Sequence, residues 1–137
     1  MDSPMVRPPD GTRFLVRVLG DFRKQLMDLD VRDDGRVTII AVEGDLVIGE
    51  PEAAFKKTVN RLLEEGKVQI LIDCTGLRTV DSSGLGALVR ALTTTRNEGG
   101  QTKLLGVGPR LLKLLELTAL GSVFEIHTDR ESAVGSF

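Results

Sequence analysis

The stretch Val68 to Val89, VQILIDCTGLRTVDSSGLGALV, joins two different patterns across one polar turn. Its opening VQILID packs apolar residues with almost no alternation, as a strand does when an α/β sheet covers both of its faces. From Gly84 onward the period changes: Leu85, Leu88, Val89 and Leu92 recur at helical spacing until Gly99-Gly100 stops them. Between the two lies VDSSGLG, Val80 to Gly86, with an acid, two adjacent hydroxyls and two glycines.

Working outward, PEAAFKKTVNRLLEEG places Phe55, Val59, Leu62 and Leu63 on one helix face, with Pro51 at its start and Gly66 at its end. Before it, DVRDDGRVTIIAVEG reads as two strands around a turn at Asp34-Gly35. The acids of that turn lack the spacing and the closing Glu of an EF-hand, so it is a solvated turn and not a calcium loop. After the central helix, TKLLGVG is a short strand, and Pro109 opens a helix carrying Leu111, Leu112, Leu114 and Leu115 that Gly121 closes. VFEIH is a last strand, followed by a short terminal helix or tail. The order β-β-α-β-α-β-α-β predicts an antiparallel opening hairpin, then right-handed parallel crossovers with helices packed on the sheet.

Residues 1–12 hold three prolines and few apolar groups and read as a tail. Leu15, Val18, Leu19, Phe22, Leu26 and Leu29 then recur at helical spacing, which predicts an amphipathic helix, although FLVRV fits a strand equally. That segment either packs on the domain or makes a dimer or partner contact. The division expected is an extension over residues 1–27 and one domain over 28–137.

At 137 residues, with 41% hydrophobic and 28% charged residues, the chain has the length and composition of one soluble domain. Eighteen basic against twenty acidic residues leave a net charge of -2, without Trp, Tyr or a long basic run, which disfavours a nucleic-acid surface. Cys74 is the single cysteine, so no intrachain disulfide forms and a reducing compartment is expected. No apolar stretch reaches membrane-spanning length, and MDSPMVRPPDG lacks the order of a secretory signal. A cytoplasmic protein without membrane contact is the expectation.

Four chemistries compete for VDSSGLG. A hydrolase elbow, G-x-S-x-G, fails: Val80 stands at the first glycine position if Ser82 is the nucleophile, and Asp81 if Ser83 is. The only imidazole is His127. A dinucleotide fingerprint fails for want of a third glycine after Gly84-Leu85-Gly86 or Gly106-Val107-Gly108, and no Walker lysine is present. One Cys with one His makes no transition-metal site, so neither metal nor cofactor is expected. A helix cap by Asp81, Ser82 or Ser83 is sound, with Ser83 favoured; but a cap needs only one polar side chain. The fourth chemistry is a phosphoacceptor, since a helix N-terminus compensates part of a charge of roughly -2 that a docking partner would reject. Asp81 is expected to make the local field negative already.

DSSGLG after a buried strand, then a helix, GG, a short strand and GVGPRLLKLLELTALGSVFEI, resembles the anti-sigma factor antagonists, the single-domain STAS proteins, from about Asp28 to Ala133. The resemblance implies an α/β fold, a STAS-type mixed sheet of four to five strands with about four helices, opening with an antiparallel hairpin. It also implies a binding module that is not an enzyme. Such proteins bind an anti-sigma factor serine kinase and thereby release a sigma factor. Phosphorylation of the first serine after the acid, here Ser82, switches binding off, and a PP2C-type phosphatase reverses it. Asp81, Ser83, Gly84, Leu85 and Gly86 would then form the docking turn, and Asp45 would join them from the family's G-E-L-D-like loop. One departure stands in that loop: Gly44, Asp45 and Leu46 follow the pattern, but Val47 replaces the second acid. Monomer or homodimer is expected of an antagonist; a large assembly would point instead to a STAS scaffold subunit in a stressosome-like or transporter-associated complex.

Overall fold

The computed structural model describes residues 5–6, 13–19 and 26–137, with side chains described from Met27 onward. In chain order the elements are β1 Met5–Val6, β2 Arg13–Leu19, β3 Leu26–Asp34, β4 Val37–Leu46, α1 Glu50–Glu64, β5 Gln69–Asp73, β6 Leu77–Val80, α2 Ser82–Asn97, β7 Gln101–Leu105, α3 Pro109–Leu117, β8 Ile126–His127 and α4 Arg130–Gly135. Gly35, at φ 64°, turns β3 back onto β4, and Asp34 pairs with Val37 across the bend. From that antiparallel hairpin the sheet grows in both directions, in the order β1-β2-β3-β4-β5-β7-β8. β4, β5, β7 and β8 are parallel neighbours, so the expected crossovers and the mixed sheet are present, with four helices among the described residues.

Both faces of the central strands are covered, which explains the unbroken apolar runs. Ile40 and Val42 of β4 and Ile70 and Ile72 of β5 pack with Phe55, Val59 and Leu62 of α1 and with Leu85, Leu88 and Leu92 of α2. The alternate residues Val37, Ile39, Leu71 and Leu105 face the other way, onto Ala133 of α4. Each fully buried side chain of this size removes enough apolar surface to contribute about 1.5–3 kcal/mol, so the α1–α2 layer fixes the orientation of everything at the ends of the strands.

Three expectations change. The helix expected over residues 13–29 is not formed: Arg13–Leu19 is a strand along β3, with Arg13 opposite Arg32 and Leu19 opposite Leu26, so FLVRV takes its strand reading. Residues 20–25, with Phe22, lie outside the described residues, as does the tail over 1–12 except for the short strand at Met5–Val6. Second, β6 is a strand the sequence did not announce; it runs parallel to the end of β4, with Asp45 opposite Thr79 and Leu46 opposite Val80. Third, α3 stops at Leu117 and not at Gly121. Thr118 caps it, Ala119 takes the left-handed conformation at φ 59°, and the N–H of Leu120 returns to the carbonyl of Leu115 at 2.8 Å. Ala119 thus occupies the position usually given to glycine at a helix end.

Candidate functional site

The serine turn lies where β6 ends and α2 begins, beside the loop that leaves β4. Asp81, not Ser83, is the cap of α2: its Oδ1 accepts the backbone N–H of Gly84 at 2.8 Å. Its Oδ2 accepts the backbone N–H of Ile48 at 2.9 Å. One carboxylate therefore closes the helix start and ties it to the loop after β4. Ser82 is the first helical residue and is exposed, whereas Ser83 is half-buried.

The glycines of the turn have unlike roles. A Cβ on Gly84 would stand 2.0 Å from the carbonyl oxygen of Leu46, so only hydrogen fits where α2 crosses the end of β4. A Cβ on Gly86 would meet nothing within 4 Å, and Gly86 is exposed. Gly84 and Leu85, both expected in a partner contact, are buried; Leu85 belongs to the core against α1 and the sheet. The exposed residues of the turn are Ser82 and Gly86, with Val80, Asp81 and Ser83 half-buried.

Asp45 is also buried, and it is not a free charge. Its two oxygens accept from Nε and Nη2 of Arg78 on β6 at 3.0 and 2.9 Å, a two-pronged pair that holds β6 to β4. The hydrogen bond to Asp45, and then its charge, push the Arg78 guanidinium further above its ordinary range. Val47 is buried at 5% exposure, while Ile48 next to it is 68% exposed. The negative field expected around Ser82 is therefore muted: Asp81 is compensated by two N–H groups and the α2 terminus, and Asp45 by Arg78.

Alongside the turn an open groove of about 520 Å³ runs between β6 and α3, over Cys74, Leu77 and Leu111, with Arg78 and Arg110 among its lining residues. Burial, and secondarily the charge of Asp73, push the Cys74 thiol up to about 12, which leaves it without nucleophilic character at neutral pH. Among the described residues no group of three or more His, Cys, Asp or Glu side chains is placed to hold a metal ion. No helix among them is long and apolar enough to cross a membrane.

A second polar constellation escaped the sequence reading. Lys103 of β7 is only 4% exposed, and its Nζ donates to the carbonyl and the hydroxyl oxygen of Ser136 at 2.9 Å each. The same Nζ pairs with Glu125 at 3.0 Å and lies 4.7 Å from the centre of the Phe137 ring. His127 meets the other side of this cluster, 2.6 Å from Glu125. The lysine pins the chain after α4 to the sheet. Its partners lie 22 and 33 residues further along the chain, too far apart for any local pattern to display.

The STAS domain family model matches residues 28–133. The anti-sigma-B factor antagonist of Listeria monocytogenes is 34% identical over 84 residues, 58% of this chain and 74% of that protein. An anti-sigma factor antagonist from Mycobacterium paratuberculosis superposes with a TM-score of 0.67 at 19% identity, over 96% of this chain and 97% of its own. The Bacillus cell fate determinant SpoIIAA in its phosphorylated form superposes with a TM-score of 0.66 at 20% identity, over 79% and 97% of the two chains. At those identities the two structures establish the fold.

Proposed function

The chain belongs to the STAS domain family, and from that premise we propose that it is an anti-sigma factor antagonist regulated by phosphorylation of Ser82. Unphosphorylated, it binds an anti-sigma factor that is also a serine kinase, and the sigma factor is released. The kinase transfers the γ-phosphoryl group of ATP to the Ser82 Oγ, which gives up its proton, and ADP leaves. A PP2C-type phosphatase then hydrolyses the ester to restore the hydroxyl and inorganic phosphate. The protein acts in the cytoplasm as monomer or homodimer.

The observation that carries this reading is the setting of Ser82: an exposed hydroxyl on the first residue of α2, in a turn fixed on both sides by Asp81. Such a hydroxyl is within reach of another protein, and the first-turn N–H groups of the helix offset part of an added phosphate charge. The fold therefore tolerates modification. Because Asp45 is neutralised by Arg78, an added charge of roughly -2 at Ser82 changes the character of this surface far more than it would beside free carboxylates. Supporting the reading are the name of the Listeria relative and the existence of a phosphorylated form of SpoIIAA, a protein of the same fold.

The test uses the purified protein as bait for its anti-sigma factor kinase. Incubation of the recovered kinase with this protein and ATP should add one phosphoryl group, mapped to Ser82 by mass spectrometry and absent from Ser82→Ala. Label on another residue, or failure of the unmodified protein to bind any serine kinase, contradicts the proposal.

A further inference from the structure

The strand β6, Leu77–Val80, is held unlike β5 and β7. It lies off the main strand order and pairs with β4 alone. The centres of β5 and β7 are buried, whereas Arg78 and Thr79 of β6 are exposed and Leu77 and Val80 half-buried. Among the described residues, its backbone makes one hydrogen bond outside the ladder with β4, from the N–H of Leu77 to the carbonyl of Cys74 at 3.0 Å. The edge turned away from β4 therefore offers unpaired N–H and C=O groups.

That edge faces an apolar trough. Across from it stands α3, and the groove of about 520 Å³ between them is lined by Leu77 on one wall and by Leu111 and Leu114 on the other. A free strand edge opposite a helix suits an extended peptide that adds as one more strand. Its main chain bonds the edge while alternate side chains enter the trough. The four residues of β6 span about 13 Å, enough to pair with about four residues of a guest strand.

The charges of the groove specify the guest further. Two guanidiniums, Arg78 and Arg110, line it, and no carboxylate does. Asp45 takes Nε and Nη2 of Arg78, which leaves the donors of Nη1 for another acceptor. Arg110 is exposed in the first turn of α3, where the helix dipole disfavours a cation and no acid accompanies it.

We propose that β6 and α3 form a second binding site, at which an extended segment of a partner protein adds as a strand to β6. The guest places apolar side chains in the groove and an acidic side chain against Arg110 and the Nη1 of Arg78. A basic segment would meet two like charges and is rejected. This site stands independently of the Ser82 reading and needs no kinase for its test.

The experiment pans a phage-displayed library of random decapeptides on the folded wild-type protein and measures the recovered peptides by fluorescence polarisation. Binders should alternate apolar residues with others and carry Asp or Glu, and their binding should slow amide hydrogen exchange over Leu77–Val80. N-methylation at alternate peptide residues, which removes ladder donors, should abolish binding. Arg110→Glu, an exposed change whose folding is checked by melting, should weaken it about tenfold or more. A library without binders overturns the proposal, as does affinity that survives N-methylation or Arg110→Glu, or exchange over Leu77–Val80 that is unchanged. A groove that takes dodecanoate and no peptide overturns it as well, in favour of a small-molecule site.

Discussion

The carboxylate of Asp81 holds the backbone N–H of Ile48 across 33 residues of chain, at 2.9 Å, while its other oxygen caps α2 through Gly84. A single side chain thereby sets the spacing between the loop after β4 and the hydroxyl of Ser82. Replacing it should cost more than a helix cap does alone.

Asp81→Ala removes both bonds, and helix-cap losses are typically about 1 kcal/mol. A destabilisation of about 1–2 kcal/mol in urea unfolding is expected. Ser83→Ala, which removes no cap, should stay within about 0.5 kcal/mol of wild type. The reverse ranking would return the cap to Ser83.

Gly84 and Gly86 should separate sharply. Gly84→Ala drives a methyl group into the carbonyl of Leu46 and should destabilise by about 2 kcal/mol or more, since over-packing forces the backbone to move. Gly86→Ala faces open space and gains helix propensity, so a change between neutral and about 1 kcal/mol more stable is expected. Melting temperatures of the two variants decide the matter.

Cys74 should be inert in the folded protein. Its thiol is buried and pushed up to about 12, by desolvation first and by Asp73 second. Iodoacetamide at pH 8 should leave it unmodified in buffer and alkylate it fully in denaturant. Rapid labelling of the native protein would show that the groove beside it opens.

Acidification should loosen the contacts after α4. Hydrogen bonds from Lys103 and then from His127 hold the Glu125 carboxyl below its ordinary range. A carboxyl with a depressed folded-state pKa contributes stability that is present above its unfolded value, about 4.3, and is lost as pH falls through the folded one. Glu125 is half exposed, so the effect is small. Melting curves from pH 6 to pH 3 should show wild type losing more than Glu125→Gln; parallel losses would mean that the cluster does not hold in solution.

Where side-chain spacing and tertiary environment agreed, the sequence was a good guide. Ile70, Leu71 and Ile72 read as a doubly covered strand and are one, and Leu85, Leu88 and Leu92 mark the inward face of α2. The N-terminal segment misled because Leu15, Val18 and Leu19 satisfy a helical period, while pairing along β3 decides their state. β6 carries no alternation to recognise, since Arg78 and Thr79 are both exposed and the strand is held by the end of β4 and the Asp45–Arg78 pair. The cap was ambiguous for a related reason: Asp81, Ser82 and Ser83 are all competent acceptors, and the N–H of Ile48, remote in sequence, gives Asp81 its second bond. That Gly84 is reserved for the carbonyl of Leu46 is equally a property of the folded chain.

Charge added at Ser82 switches partner binding off. The direct measurement is the affinity of the recovered anti-sigma factor kinase for this protein before and after stoichiometric phosphorylation at Ser82, with Ser82→Ala as the control. Near-equal affinity is expected for the unmodified protein and Ser82→Ala, with a loss of about a hundredfold or more on phosphorylation; equal binding of the phosphorylated and unphosphorylated forms would contradict the switch.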